Sequence, residues 1–139
     1  MSDDVIEEKK RWLYRYKNNR YKIARLEEKL LSLSNRIESI RSPNYSGIPK
    51  ASTPITIEEL IADKMDLERR INRLKEKGIK YRYEIQEAID NIEVDKYAEV
   101  LEHWFINCMS ADDIGDIMGY SSRYIFILYA KALQEIQIE

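Results

Sequence analysis

Two stretches with the same spacing of apolar residues decide the fold of this chain. Residues 12–40 read WLYRYKNNRYKIARLEEKLLSLSNRIESI, and residues 57–92 read IEELIADKMDLERRINRLKEKGIKYRYEIQEAIDNI. The apolar positions recur in alternating steps of three and four, which keeps one stripe of side chains facing a partner helix. With Val5 added seven residues earlier, the stripes are Val5, Trp12, Tyr16, Asn19, Ile23, Leu26, Leu30, Leu33, Ile37 and Ile40, and Ile57, Leu60, Lys64, Leu67, Ile71, Leu74, Gly78, Tyr81, Ile85, Ala88 and Ile92.

The two stripes match when the chain folds back on itself between them. Antiparallel pairing sets Ile40 against Ile57, and the residue numbers of every matched pair sum to 97. Asn19 then lies opposite Gly78, and a polar residue in such a seam fixes the register of the two helices. Because the spacing survives across Gly78, we expect a continuous or mildly kinked second helix, the alternative being a break of the helix at Gly78. The sequence predicts an all-α protein built on a long antiparallel helical hairpin, a coiled coil.

The composition suits long helices and argues against several classes of protein. The 139 residues are 44 % hydrophobic and 35 % charged, with only four glycines and three prolines. A single cysteine and a single histidine leave no material for a disulfide framework or a thiolate metal cluster, so we predict no metal and no cofactor. The charged first residues and the absence of a long apolar run predict a cytoplasmic protein with no membrane segment.

Turn and capping residues divide the chain into two predicted domains. Residues 1–92 form the hairpin, with one helix from Asp3 to Arg41 and another from Ile57 to Ile92. The linker 42–56 holds all three prolines and ends at Thr56, a candidate helix N-cap. We interpret this linker as either a flexible tip or a binding loop.

Residues 93–139 form the second predicted domain, which we call the head. Its pattern indicates a helix of about three turns around Trp104, a turn, and two further helices capped by Ser110 and Ser121. Gly119 ends the first of these two, and Gly115 allows their close contact. Two helices joined by a tight turn, with the second the longer, are typical of a helix-turn-helix.

Charge is distributed very unevenly along the sequence. The net charge is −2, yet residues 9–25 and 69–82 together hold fifteen of the 23 basic residues. The hairpin pairing places these two stretches side by side as one basic zone. The head has three basic residues against nine acidic ones, a net charge of −6. The candidate DNA contacts in the basic zone are Lys9, Lys10, Arg11, Arg15, Lys17, Arg20, Arg73, Lys77, Lys80 and Arg82.

The stretch from Gly119 to Leu133, GYSSRYIFILYAKAL, resembles the recognition half of sigma factor region four. The capped helix from Ser110 to Met118 resembles the preceding half. The whole arrangement is similar to small phage regulators of Gram-positive bacteria, the late-gene activators of the ArpU and RinA kind. The resemblance implies a phage-type transcriptional regulator whose last helix enters the major groove of DNA. The residues that it implies near the bases are Ser122, Arg123, Tyr124, Phe126, Ile127 and Lys131, with Tyr129 nearby.

This sequence departs from the family where Phe126 and Ile127 stand, because relatives usually carry polar or charged residues there. One hypothesis is therefore that the protein binds DNA with both regions: the head reads a few bases, and the basic zone contacts phosphates. The alternative is a protein-binding adaptor or inhibitor that uses the apolar face of the last helix on RNA polymerase or another host protein. A third interpretation packs Phe126 and Ile127 on the hairpin, and the basic zone could equally be a solvated helix face.

An enzyme is not predicted. His103 has no nucleophile at a recognisable spacing, and the acids that follow Ser110 are explained by helix capping and the helix dipole. Apolar residues outside the two stripes, among them Leu13, Leu31 and Ile89, are expected to cover the head or to bury a dimer interface. We therefore expect a homodimer in the cytoplasm, which would be that of the host cell if the protein is phage-encoded.

Overall fold

The computed structural model describes residues 3–41 and 56–138, and within these ranges the regular structure is all helical, with no strand. The helices are α1 (Asp3–Arg41), α2 (Ile57–Asp90), α3 (Asp95–Leu101), α4 (Ala111–Met118) and α5 (Ser122–Glu135). A π-helical segment, Glu102–Ile106, continues α3, and it ends where the Asn107 N–H donates to the Glu102 carbonyl five residues back. The all-α prediction is confirmed. The predicted linker, apart from Thr56, lies outside the described residues.

The long helices begin and end close to where the sequence predicts. α1 spans the predicted Asp3–Arg41. The Thr56 hydroxyl accepts a hydrogen bond of 3.2 Å from the Glu59 N–H, so Thr56 is the predicted N-cap of α2. α2 continues through Gly78 as expected, and it ends at Asp90, two residues before the predicted end.

The chain divides into two compact units. The first unit contains the described residues up to Arg20 and those from Lys77 onward, and the second unit contains residues 21–76. The division cuts through both long helices and does not follow the predicted boundary at residue 92. The physical reason is that α3, the π-helical segment and α5 bury apolar side chains together with Leu13 of α1 and with Ile85 and Ile89 of α2, while α4 packs on α3 and α5.

The second unit is a two-helix coiled coil. Leu26, Ile37, Leu60 and Ile71 are at most 4 % exposed, and all four belong to the predicted stripes. The Lys75 ammonium lies 3.4 Å from the Glu27 carboxylate of the facing helix. The heptad spacing therefore identifies the buried side of both helices here, as a seam requires.

The antiparallel pairing of α1 and α2 is also seen in the first unit. A Cβ added to Gly78 would lie 2.6 Å from Asn19 Oδ1, so these two residues face each other as the register predicts. Ile85 is fully buried in the same seam. The prediction that Val5 belongs to the buried stripe of α1 is wrong, because its side chain is 39 % exposed.

The core of the first unit has two connected parts. Leu13, Ile85 and Ile89 of the long helices pack with Phe105 and with the C-terminal half of α5, around Leu133. A second cluster, made of Val100, Ala111, Ile114, Ile125 and Leu128, joins α3, α4 and α5. Leu13 and Ile89 lie outside the predicted stripes, and their burial confirms that some of these residues cover the head.

Candidate nucleic-acid interface

The helix-turn-helix predicted in the head is present and is capped as the sequence indicates. The Ser110 hydroxyl accepts from the Asp113 N–H, and the Ser121 hydroxyl accepts from the Tyr124 N–H, each at 3.2 Å. Gly119 ends α4 in the left-handed region at φ 78°, where a residue without a Cβ is favoured. These local interactions fix where α4 stops and where α5 begins.

Gly115 sets how closely the start of α5 approaches α4. Its carbonyl accepts from the N–H groups of Gly119 and Tyr120 at 2.8 and 2.9 Å. A Cβ at residue 115 would lie 2.5 Å from the carbonyl oxygen of Tyr120, so no larger residue fits this backbone. The tight turn therefore holds α5 at a fixed angle to α4.

α5 buries one side and presents the other to solvent along its whole length. Ile125, Leu128, Ala132 and Leu133 are its inner side. Phe126 is 54 % exposed and Ile127 is 42 % exposed, so the interpretation that both pack on the hairpin is wrong. The exposed residues of α5 are Arg123, Phe126, Ile127, Ala130, Lys131, Gln134 and the last residue, Glu135, and we call the first six the outer face of α5.

The other two residues implied at the bases are partly buried and already have partners. The Ser122 hydroxyl donates to the Asp112 carboxylate of α4. The Tyr124 ring packs edge-on against Tyr120, with centroids 4.8 Å apart, and the Lys96 ammonium lies 5.9 Å from both rings. Ser122 and Tyr124 thus contribute to the interior of the helix-turn-helix as well as to its edge.

An aromatic stack supports Phe126 from behind. The Trp104 ring lies edge-on to Phe126, with centroids 5.7 Å apart, and stacks on Tyr129 at 4.0 Å. The Trp104 Nε1–H donates to the Tyr14 hydroxyl of α1 at 3.1 Å. Burial, and then the neighbouring Tyr14, raises the pKa of the Tyr129 phenol. The sequence places Tyr14 among the charges of the basic zone, one turn from Lys10 and Lys17, but it does not indicate the contact of Tyr14 with Trp104.

The prediction that Lys9 belongs to the exposed basic zone is wrong. Its side chain is only 4 % exposed, and its ammonium donates to the carbonyls of Leu133 and Gln134 at 2.9 and 3.2 Å. Burial lowers the pKa of Lys9, while the Glu135 carboxylate opposes that change. A buried ammonium bonded to the last turn of α5 cannot reach a phosphate, so Lys9 anchors the C-terminal end of α5 instead.

The Arg15 side chain also makes its contacts within the first unit. Its guanidinium lies 3.2 Å from the Glu84 carboxylate, and its Nε–H donates to the Trp12 carbonyl at 2.8 Å. The guanidinium carbon lies 4.4 Å from the Trp12 ring centroid and 4.7 Å from that of Tyr81. These contacts hold α1 against α2, and they leave Arg15 a poor candidate for DNA.

The remaining bases of the first unit lie on two different sides of the hairpin. Lys10, Tyr14 and Lys17 are spaced i, i+4 and i+7, so they share one side of α1. The Lys17 ammonium lies 5.7 Å from the Tyr14 ring. The Tyr14 hydroxyl accepts a hydrogen bond from Trp104, and the Trp104 ring contacts Phe126. Lys17 is therefore on the same side of the first unit as the outer face of α5.

Two more bases share the side of the hairpin that carries the head. A guanidinium nitrogen of Arg20 lies 3.8 Å from the Cys108 sulfur, in the turn before α4. Arg82 is exposed and precedes the buried Ile89 by seven positions, so both point to the same side of α2. We call Lys10, Lys17, Arg20 and Arg82 the near-side bases.

Two other exposed bases of the first unit, Lys80 and Arg11, point away from the head. Lys80 and the buried Ile89 are nine positions apart, which is about 180° around a helix, so Lys80 faces outward. Arg11 is two positions from both Lys9 and Leu13, about 200° from each around α1. Lys77 is exposed, and Arg73 is exposed within the second unit. Within the first unit the predicted bases are thus divided, with the near-side bases on the side that bears α5 and Lys80 and Arg11 facing away from it.

Among the residues the structure describes, no three acidic, histidine or cysteine side chains are placed to hold a metal ion. Over the same residues, no helix combines the length and the apolar character that crossing a membrane requires.

Comparisons with known proteins give one match. A search of curated proteins finds no match, and neither does a search of solved structures. The model of one family, described as a protein of unknown function (DUF1492), matches residues 46–137, which is more than half of the chain. The chain therefore belongs to the DUF1492 family.

Proposed function

We propose that this protein is a DNA-binding transcriptional regulator that places α5 in the major groove. The observation that carries the proposal is the outer face of α5, which stays exposed on a helix whose other side is buried and whose start is held by a capped, glycine-containing turn. A helix-turn-helix uses such a face, near the N-terminal end of its second helix, to reach base edges. The resemblance to sigma factor region four and to phage late-gene activators supports the same function.

The phosphate contacts come from the hairpin. The first turn of α4 carries the exposed carboxylates of Asp112 and Asp113, which repel phosphate groups. The near-side bases lie on the side of the first unit that bears α5, and a duplex seated on α5 would lie within reach of them. Neutralising phosphates with these side chains supplies affinity without reading sequence. The protein would act in the cytoplasm, that of the host if it is phage-encoded, and as a homodimer if it reads two half-sites.

A second candidate function is supported by the same helix. Phe126 and Ile127 are large apolar side chains exposed on an acidic head, and exposed apolar groups of this kind also occur at protein-binding surfaces. RNA polymerase or another host protein would then be the partner, and the outer face of α5 would contact that protein instead of DNA.

A salt titration of DNA binding with two matched variants tests the proposal. We expect the wild-type affinity for duplex DNA to fall steeply as salt rises, because bound phosphates release counterions. Lys17→Gln should weaken binding to all sequences and lower the salt slope by about 1. Lys80→Gln, which removes the same charge from the side away from the head, should leave both quantities unchanged. Mobility shift at several salt concentrations measures the affinity and the slope.

Two outcomes would overturn the proposal. Failure of the full chain to bind any duplex at low salt excludes DNA binding, and cross-linking from a photoreactive residue at position 126 would then identify a protein partner. Equal losses in Lys17→Gln and Lys80→Gln would show that binding does not depend on the near side, and so does not involve α5.

A further inference from the structure

The outer face of α5 has an unusual chemistry for a surface that contacts bases. Of its six members, Phe126, Ile127 and Ala130 are apolar, and they stand together around one turn of the helix. Ala130 follows Phe126 by four positions and Ile127 by three, so it continues the surface between them. The charged members, Arg123 and Lys131, stand on either side of this apolar turn in the sequence.

Phe126 and Ile127 are held in place before any ligand arrives. The Phe126 ring rests edge-on against Trp104, which is itself fixed by its stack on Tyr129 and its hydrogen bond to Tyr14. Ile127 is β-branched, so its χ1 angle has one strongly preferred value in a helix. A rigid apolar surface loses little conformational entropy on binding, and it cannot rearrange to offer hydrogen bonds.

The major groove offers one apolar group to such a surface. The edges of guanine, cytosine and adenine present hydrogen-bond donors and acceptors there, and thymine alone adds a methyl group at C5. Apolar side chains pressed against the other edges would remove water from polar atoms without replacing its hydrogen bonds.

We propose, on the basis of the DNA-binding function above, that α5 selects its sites by the 5-methyl groups of thymine, with Phe126 and Ile127 each contacting one. Phe126 and Ile127 are specificity-determining residues in this scheme, and Ala130 leaves room for the bases between them. Arg123 and Lys131 add affinity to the same face, and they do not distinguish thymine from uracil.

Replacing thymine by uracil in the DNA tests this directly. A duplex is first selected by the wild-type protein from a random-sequence pool, and is then synthesised again with uracil at every thymine position. This change removes only the methyl groups and keeps base pairing and phosphates. Burying a methyl group stabilises a complex enough for about a fourfold change in affinity, so the loss of two contacts should weaken binding about 15-fold.

The variants separate direct contact from effects on DNA shape. Phe126→Ala and Ile127→Ala should each bind the thymine duplex more weakly and should lower the thymine-to-uracil affinity ratio about fourfold. Lys131→Ala is the matched control, and it should lower affinity on both duplexes while keeping the wild-type ratio. Because Phe126 and Ile127 are exposed, circular dichroism should show that both variants remain folded.

Three results would overturn the inference. Equal wild-type binding to the thymine and uracil duplexes would exclude methyl readout while leaving the DNA-binding function intact. An unchanged ratio in both Phe126→Ala and Ile127→Ala would assign the methyl effect to the shape of the DNA. Absence of binding to any duplex would remove the DNA-binding function and this inference with it.

Discussion

The same two long helices behave differently in the two compact units. Within residues 21–76 they bury one stripe only, and an apolar residue outside it, Leu31, is 63 % exposed. Within the first unit the same helices bury the stripe and a second side as well, where Leu13 is fully buried and Lys9 is 4 % exposed. A heptad pattern therefore locates the contact between two helices, but it does not show what else a helix buries.

The difference also concerns charged residues. In the second unit the paired ammonium of Lys75 and carboxylate of Glu27 are both about half exposed, and such pairs contribute little to stability. In the first unit an ammonium and a guanidinium of α1 are used as internal donors, to backbone carbonyls and to a carboxylate. In the unit that contains the head, two side chains predicted to be surface charges, Lys9 and Arg15, instead make contacts inside the structure.

The largest effect on stability is expected when two leucines of α1, Leu13 and Leu31, are each replaced by alanine. Leu13→Ala should lower the free energy of unfolding by about 2–5 kcal/mol, because it leaves a cavity where Leu13 packs with Phe105 and Leu133. Leu31→Ala, at an exposed position, should change it by less than about 0.5 kcal/mol. Urea denaturation followed by circular dichroism measures both. A large loss in Leu31→Ala would contradict the comparison and would indicate that Leu31 is buried against a second copy of the chain.

A smaller effect is expected from two lysines of the same helix. Lys9→Met removes the donor to the Leu133 and Gln134 carbonyls and should cost about 1–3 kcal/mol. Lys29→Met removes an exposed ammonium in the second unit and should have almost no effect on stability. Thermal unfolding of both variants at neutral pH tests this pair. If Lys9→Met were as stable as the wild type, the anchoring role of Lys9 would be wrong.

The smallest effect appears only at alkaline pH. Burial raises the pKa of Tyr129 above its ordinary value of 10.0, so the folded protein holds the phenol proton more tightly than the unfolded chain. The resulting stability is complete below about pH 10 and is lost as pH rises through the folded-state pKa. Tyr129→Phe should remove this component of the alkaline loss and should cost about 1 kcal/mol at neutral pH.

Thermal midpoints measured from neutral pH to about pH 11 would show the Tyr129 effect as a shallower alkaline decline in the variant. Tyr21→Phe, which removes a hydroxyl from an exposed ring of the second unit, is the matched control. An alkaline decline that is identical in wild type and Tyr129→Phe would show that the phenol ionises as easily in the folded protein as in the unfolded chain.

The backbone of the helix-turn-helix could be predicted from the sequence because each of its signals is local. Ser110 and Ser121 accept hydrogen bonds from N–H groups three residues on, and Gly119 takes a φ that other residues avoid. Gly115 is predicted to make a close contact because a small residue inside a short amphipathic helix suggests one. None of these assignments requires knowledge of distant parts of the chain.

The candidate site was only partly predictable, because its members depend on contacts between distant residues. Lys9 and Lys17 look alike in sequence, yet one is bonded to carbonyls 124 and 125 residues away and the other lies beside Tyr14. The stack of Trp104 on Tyr129, which supports Phe126, joins residues of two different helices. No periodicity within one helix indicates which distant side chain will meet it.

The sequence by itself determined the helices, most of their ends, the pairing of Asn19 with Gly78 and the tight turn before α5, since periodicity and capping act over a few residues and the register follows from matching two apolar stripes. Tertiary structure decided which bases remain on the surface and which side of the hairpin they occupy. It also decided that Phe126 and Ile127 face solvent. The physical reason is that burying α3, the π-helical segment and α5 against α1 and α2 selects one of several possible sides of each helix, and only that packing separates Lys9 from Lys17.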